Sequence, residues 1–187
     1  MIDFSDVVES IATLPSIGPR SAAKIAQHLL ENKSESLKLL ENIAHYVQES
    51  SLCRRCRTYT VGQDICNICN DHNRQNILCV IPSIRELAVF TAMQSYKGYY
   101  FIMHDLAQSY HIEALKKLLT DRTYDRLIIA LPLSPEGESM TFIISSMAKT
   151  LVKEIKTFRV GLPRRADLTY LDPVTLSYVM DDLKDVE

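Results

Sequence analysis

The fold of this chain is decided by residues 53–69, which read C-R-R-C-R-T-Y-T-V-G-Q-D-I-C-N-I-C. Four of the five cysteines of the chain fall here as two C-x-x-C pairs, Cys53 with Cys56 and Cys66 with Cys69. A C-x-x-C turn can direct both thiolates at one ion, and two such turns supply the four sulfur ligands that suit zinc. Because sulfur fills all four coordination positions, no place is left for a reactive water, and the predicted zinc is structural.

Two alternatives stay open for these cysteines, a pair of disulfides or a redox-active dithiol. The stretch carries few bulky apolar side chains, so a bound metal would order it where a core cannot. The N-terminus is acidic and lacks the basic region of a secretory signal, and no apolar run has the length of a membrane span. We therefore expect a cytoplasmic protein with reduced thiols and no membrane contact.

The charge balance limits how this chain can meet nucleic acid. Its 187 residues carry 21 Lys and Arg against 23 Asp and Glu, which gives a formal net charge of -2. This excludes a protein that coats nucleic acid through bulk charge but leaves room for a basic patch. Any contact with DNA is therefore expected to be local or multivalent.

The N-terminal third predicts three helices. Apolar residues recur at helical spacing over residues 3–13, and the turn residues of 14–19, L-P-S-I-G-P, then break the pattern. Pro19 suits the first position of a second helix. A third helix is expected to begin at a Ser34 cap. Its inward face is expected to consist of Leu37, Leu40, Ile43, Ala44 and Val47.

Residues 14–26, L-P-S-I-G-P-R-S-A-A-K-I-A, resemble a helix-hairpin-helix motif, which binds the DNA backbone independently of sequence. Arg20 and Lys24 lie one turn apart at the start of the second helix. Its backbone N–H groups and positive dipole end favour a phosphate at the same spot. Arg20 and Lys24 are therefore the predicted DNA-binding residues. The alternative is a plain helical hairpin in which Pro and Gly only turn the chain.

From residue 77 onward, short apolar runs alternate with amphipathic segments. Strands are predicted at residues 77–81, 99–103, 127–131 and 157–160, and helices at residues 83–93, 111–119 and 139–153. Ser83 and Glu86 have the spacing of a capping box for the first of these helices. Cys79 is expected to be a small core residue of the first strand. The alternation implies a mostly parallel sheet with helices packed on its faces.

Ligand sites of parallel sheets gather where the strands end. Residues 134–138, S-P-E-G-E, follow the third predicted strand, and their E-G-E resembles the end of the Toprim motif of topoisomerases and primases. Glu136 and Glu138 have two interpretations. They either favour the N-terminal dipole of a helix or bind a protein partner.

Catalytic Toprim domains hold magnesium with further acids, whereas the matching positions of this chain are Pro82, Pro132 and Ser134. A hard, oxygen-seeking cation has too few ligands without those carboxylates. We therefore expect no catalytic residues and no enzymatic activity.

The order of these motifs, followed by L-T-Y-L-D-P-V-T-L at residues 168–176, resembles the bacterial recombination mediator family RecR over nearly the whole chain. The resemblance implies a non-enzymatic DNA-binding protein of recombinational DNA repair. Such a protein works with RecO-like and RecF-like partners to help RecA load onto single-stranded DNA. The resemblance also implies a homo-oligomer, formed as a ring, a dimer or a tetramer.

The predicted fold is a mixture of α+β and α/β. Its regions are a helix-hairpin-helix region at 1–52, a four-cysteine zinc finger at 53–76, a Toprim-like parallel α/β domain at 77–160 and a C-terminal segment at 161–187. Two functions compete with the mediator, a Toprim metal-dependent nuclease or primase-like enzyme and a zinc-ribbon interaction module without DNA contact. If the hairpin does not bind DNA, Arg164 and Arg165 are the next candidates.

Overall fold

The computed structural model describes residues 2–93, 95–104, 110–158 and 171–186. The end of the last predicted strand and the Arg164–Arg165 pair lie outside these residues. The chain divides into two compact units, residues 1–50 and residues 51–187. The second unit holds both the cysteine stretch and the sheet. The predicted helical N-terminus and mixed α/β fold with a parallel sheet are confirmed.

The first unit consists of α1 (Phe4–Ala12), α2 (Pro19–Glu31) and α3 (Lys33–Glu49). Asp3 and Asp6 form a capping box at the start of α1. The Asp3 carboxylate accepts from the Asp6 N–H at 3.0 Å, and the Asp6 carboxylate accepts from the Asp3 N–H at 2.9 Å. The helix α2 begins at Pro19, as predicted. The Ser34 cap is wrong, since Asn32 alone separates α2 from α3 and Ser34 lies inside the first turn of α3.

The apolar face predicted for α3 exists, but the described residues of the chain leave it largely exposed. Leu37 is 61% exposed, Leu40 49% and Val47 70%. Among residues 2–50, the only buried residues are Ala22, Ala26 and Ser36. The helical spacing therefore correctly predicts an amphipathic helix, whereas the prediction that it packs inward within the chain is wrong.

The second unit begins within β1 (Ser50–Leu52), which forms a two-stranded sheet with β2 (Tyr59–Val61). The short helix α4 (Asn67–Asn70) follows. The large sheet has the order β4-β3-β5-β6-β7. Its strands are β3 (Ile77–Ile81), β4 (Tyr99–Ile102), β5 (Arg126–Ile129), β6 (Glu154–Phe158) and β7 (Leu183–Asp185). The strands β4, β3, β5 and β6 are parallel to one another, and β7 runs antiparallel to β6.

Helices cover both faces of this sheet, and successive strand residues pack on opposite faces. The helices are α5 (Ile84–Ala92), α6 (Tyr110–Asp121), α7 (Pro135–Ala148) and α8 (Pro173–Asp181). Leu78 and Val80 pack in a cluster with residues of α6 and α7. Cys79 and Ile81 pack in the opposite cluster with residues of α5 and α8. Cys79 is fully buried, which confirms it as a core residue, and burial raises the pKa of its thiol.

Three local predictions in this unit need correction. The strand predicted from residue 157 begins earlier, at Glu154. The charged residues of this added part are paired with neighbouring strands, since Arg126 donates to the Glu154 carboxylate at 2.5 Å and Lys156 forms an ion pair with Asp185 at 2.8 Å. The helix predicted from residue 139 begins at Pro135. Ser83 caps α5 as predicted, but its hydroxyl donates to the Glu86 carboxylate, so the reciprocal box does not form.

Candidate metal centre and nucleic-acid interface

The four clustered cysteines converge on one point inside the second unit. Their sulfur atoms all lie within 4.8 Å of one another, and every one of the four residues is buried. Zn–S bonds of about 2.3 Å in a tetrahedron place the sulfurs roughly 3.8 Å apart, which is close to this spacing. All four thiols are free, so the disulfide alternative is not formed. The cluster therefore has the ligand type, number and spacing of a four-sulfur metal centre.

The backbone around the cysteines fixes the direction of each sulfur. Arg57 takes a left-handed conformation with φ of 63°, and its N–H donates to the Cys53 carbonyl at 3.0 Å, which closes the first turn. The Cys66 N–H donates to the Cys53 sulfur at 3.3 Å, and the Cys69 N–H donates to the Cys66 sulfur at 3.5 Å. Such N–H groups stabilise thiolates, which are the form that binds metal.

The cysteine cluster is attached directly to the large sheet. The Ile102 N–H at the end of β4 donates to the Cys56 carbonyl at 2.9 Å. The Tyr99 hydroxyl donates to the Asp71 carbonyl at 2.7 Å, just after α4. Ile68 packs against both the cysteines and the core beneath the sheet. The cysteine stretch and the sheet therefore form one folding unit.

The electrostatics of the cluster favour a cation. Hydrogen bonds from Cys56, Cys66 and Cys69 lower the pKa of the Cys53 thiol, because a thiolate at this position accepts from its neighbours. The hydrogen bond to Cys53 raises the pKa of Cys56 for the complementary reason. Four buried thiolates repel one another unless a multivalent cation lies between them. The donor set therefore fits zinc, which all four sulfurs would hold in a closed shell.

The hairpin between α1 and α2 leaves the start of α2 open. Gly18 precedes α2 in an extended conformation with no side chain hydrogen-bonded to the helix end, and a Cβ placed on it would meet no atom within 4 Å. Arg20 and Lys24 are both exposed, and neither forms an ion pair with another described residue. Ser16, inside the turn, has a φ of 66°. Unpaired cations and free backbone N–H groups thus lie at one helix N-terminus, an arrangement suited to phosphate.

The E-G-E residues form the first turn of α7. Ser134 caps this helix by accepting from the Gly137 N–H at 3.2 Å, and Glu136 and Glu138 are exposed. The pKa of Glu136 is lowered because its own backbone N–H and the Ser134 hydroxyl donate to the carboxylate. Gly137 is buried, and a Cβ on it would lie 2.0 Å from the Pro132 carbonyl oxygen. The glycine is therefore needed for close packing of α7 against the end of β5.

The four cysteines are the only group of three or more potential metal ligands that the fold brings together within the described ranges. The E-G-E acids do not gather other ligands in that part of the chain. Their position in the first turn of α7 agrees with the interpretation that these acids interact favourably with the positive end of the helix dipole. A role in binding a protein partner remains a prediction.

Sequence reasoning missed four cations that the fold brings to one cleft, Arg54, Arg55, Lys117 and Arg122. Two of them occupy the middle positions of the first C-x-x-C turn, and two lie at the end of α6. The only visible indication was C-R-R-C itself, since residues between two ligand cysteines are free to point outward. Nothing in the sequence indicated that α6 would pack beside this turn.

The chain resembles known proteins over nearly all of its length. A family model described as RecR, helix-hairpin-helix, matches residues 4–46. The recombination protein RecR of Campylobacter jejuni subsp. doylei is 31% identical over 180 residues, which cover 95% of this chain and 94% of the relative. The RecR protein of Francisella tularensis subsp. novicida is 30% identical over 190 residues, which cover 95% of this chain and 93% of the relative. The RecR protein of Gloeobacter violaceus is 29% identical over 190 residues, which cover 96% of this chain and 96% of the relative.

In the described residues, no helix combines the length and the apolar character that crossing a membrane requires.

Proposed function

The chain belongs to the RecR family of recombination proteins, and we propose that it is a non-enzymatic DNA-binding mediator of recombinational DNA repair. In this role it works with RecO-like and RecF-like proteins in the cytoplasm to help RecA load onto single-stranded DNA. The observation that carries the proposal is the open hairpin at the start of α2. There, Arg20 and Lys24 lie exposed beside uncapped backbone N–H groups.

The hairpin supports binding to the DNA backbone rather than to bases. Backbone N–H groups and two cations match phosphate oxygens, which carry no sequence information. Because Gly18 has no side chain and nothing crowds its Cβ position, a phosphate can approach the helix end closely. The contact is local, as a chain of net charge -2 requires.

The experiment is a titration of a labelled single-stranded oligonucleotide at several salt concentrations with wild type and Arg20→Ala/Lys24→Ala. Loss of two phosphate contacts should lower the slope of log affinity against log salt by about 1.4. The control Lys149→Ala/Lys153→Ala removes two exposed cations of the second unit and should behave like wild type. Equal affinities and slopes for wild type and Arg20→Ala/Lys24→Ala would move the DNA contact away from the hairpin.

We propose zinc as the metal of the cysteine cluster, with a structural role. A closed four-sulfur shell offers no position for substrate or water, and soft thiolates favour zinc over magnesium or calcium. The metal then stabilises a stretch that has few apolar side chains of its own. Its identity is checked by metal analysis of the purified protein.

We propose that the chain is not an enzyme, and residues that follow the ends of the sheet strands support this. Pro82, Pro132 and Ser134 occupy the positions where catalytic relatives of the Toprim type carry acids, and Glu136 and Glu138 lie in the first turn of α7 as exposed acids. A metal nuclease needs several converging carboxylates. Incubation with DNA, nucleotides and Mg²⁺ should therefore give neither cleavage nor synthesis. Turnover that Glu136→Ala abolishes would contradict this.

Glu136 and Glu138 are instead proposed to bind a protein partner of the RecO-like class. Both acids are exposed on a helix start that Gly137 and Ser134 hold rigidly, so they present a fixed pair of charges. Glu136→Gln/Glu138→Gln should weaken the complex with the partner while leaving DNA binding unchanged.

We propose that the chain forms a homo-oligomer through the surface of the first unit. An apolar groove of about 460 Å³ runs among α1, α2 and α3, and Phe4, Leu30, Leu37 and Leu40 line it. The described residues of this unit bury too little apolar surface to be stable alone. A second copy of the chain would cover the groove and add the missing core.

A further inference from the structure

A basic cleft of about 380 Å³ lies between the first C-x-x-C turn and α6, entirely within the second unit. Arg54 and Arg55 come from the turn, and Lys117 and Arg122 come from the last turns of α6 and the residue after it. Asp121 is the one acid among the lining residues. The cleft thus concentrates four cations against one acid in a chain whose net charge is -2.

Two of the arginines are held in place by neutral groups. The Arg55 Nη1 donates to the Cys69 carbonyl oxygen at 3.2 Å, so the metal centre itself orients this guanidinium. The Arg122 guanidinium lies over the Tyr99 ring, 3.9 Å from its centroid, and its Nη2 donates to the Asn76 side-chain oxygen at 3.3 Å. Among the described residues, neither guanidinium has a carboxylate partner. Their charges are therefore oriented and not neutralised.

The remaining two cations are accessible. Arg54 pairs with Asp64 at 3.1 Å, but the two side chains are 75% and 66% exposed, and an ion pair so open to water is easily exchanged for another anion. Lys117 is exposed and has no ion-pair partner in the described part of the chain. An anionic ligand would meet two fixed guanidinium forks and two adaptable cations. A guanidinium fork matches the oxygens of a phosphate with two parallel hydrogen bonds.

We propose that this cleft binds the phosphate backbone of a nucleic-acid strand, as a second DNA contact besides the hairpin. The inference rests on the proposed DNA-binding function. An acidic peptide carries the same sign of charge, but two oriented guanidinium forks suit the tetrahedral oxygens of phosphate groups, and the chain belongs to a family of recombination proteins. Two weak, local patches thereby give a chain of negative net charge a useful affinity for DNA.

The test compares Arg54→Gln/Lys117→Gln with the matched control Arg85→Gln/Lys116→Gln. Both variants remove two exposed cations from the second unit, but Arg85 and Lys116 do not line the cleft. Binding of a labelled single strand of about 40 nucleotides is followed by fluorescence anisotropy at several salt concentrations. The cleft variant should bind roughly tenfold more weakly at low salt, with a salt slope smaller by about 1.4, whereas the control should match wild type.

The outcomes separate this inference from the proposed function. If wild type fails to bind DNA, both fail together. If Arg20→Ala/Lys24→Ala weakens binding while the cleft variant and its control bind alike, the inference fails and the hairpin contact stands. If the cleft variant binds DNA normally but loses affinity for a polyglutamate peptide, the cleft binds acidic peptide and the inference is overturned.

Discussion

The two units of this chain bury apolar surface in opposite ways. In the first unit the described residues bury only Ala22, Ala26 and Ser36, while the three leucines and the one isoleucine of α3 are 49–61% exposed. In the second unit both faces of the sheet are covered by helices, and strand residues such as Leu78 and Ile81 are fully buried. The second unit therefore has a core of its own, whereas the described residues of the first bury almost no apolar side chains.

The cysteine stretch adds a third way to stabilise structure inside the second unit. Its buried centre consists of sulfur atoms in place of apolar side chains, with Ile65 and Ile68 packed beside them. A metal bound by the four thiolates would stabilise such a centre.

Replacing a metal ligand should have the largest effect. Cys53→Ser leaves three sulfurs for the metal, and structural zinc contributes on the order of 10 kcal/mol in finger peptides, so we expect loss of zinc and unfolding around the cluster. Zinc content and thermal unfolding are the measurements. The control Cys79→Ala removes an equally buried cysteine outside the cluster and should keep its zinc. A folded Cys53→Ser protein with full zinc occupancy would contradict the account.

A methyl group on Gly137 should destabilise the second unit by about 3 kcal/mol, because overpacking against backbone forces α7 away from the end of β5. The added Cβ would lie 2.0 Å from the Pro132 carbonyl oxygen. Chemical denaturation measures the change in the free energy of unfolding. Gly18→Ala is the control in the first unit, since a Cβ there meets nothing within 4 Å. Equal free-energy changes for both variants would show that α7 is not tightly packed.

A substitution in the hairpin of the first unit should give a small gain in stability. Ser16 has a φ of 66°, a conformation that glycine adopts without a steric penalty. Ser16→Gly should therefore raise the free energy of unfolding of this unit by up to about 1 kcal/mol. Ser10→Gly, inside α1, is the control and should lower it by a similar amount. A loss of stability in Ser16→Gly would mean that the turn has a different conformation.

The sequence predicted best what depends on neighbours along the chain. The strand at residues 77–81 has the predicted bounds because it is a continuous apolar run buried on both faces. The four ligand cysteines converge because C-x-x-C spacing is local. The start of α2 follows from Pro19, whose fixed φ suits the first helical position.

Predictions that depend on distant partners were less successful. The spacing of Leu37, Leu40 and Val47 indicated an apolar face but could not indicate what covers it. The first residues of β6 were missed because Glu154 and Lys156 are charged, and only Arg126 and Asp185 on neighbouring strands explain their place in the sheet. The strand β7 was also missed, since its place depends on antiparallel pairing with β6. The helix α8 was missed although its start is local, because Asp172 caps it and Pro173 is its first residue. The basic cleft likewise exists only after the fold brings α6 beside the cysteine turn.

We propose that the first unit acquires its missing core from another copy of the chain, and that this assembly brings several DNA-binding hairpins together. Its most direct test is Ile43→Glu, which places a charge on the exposed apolar face of α3, with Gln48→Glu as a control that adds the same charge elsewhere on this helix. Solution mass by light scattering and affinity for a single-stranded oligonucleotide are measured on both.

We expect wild type and Gln48→Glu to be oligomers and Ile43→Glu to be a monomer that keeps its metal and a folded second unit. The affinity of Ile43→Glu for DNA should be lower by about a hundredfold, because each hairpin then acts alone. A wild-type protein that is monomeric at all concentrations, or an Ile43→Glu monomer that binds DNA as tightly as wild type, would contradict the account.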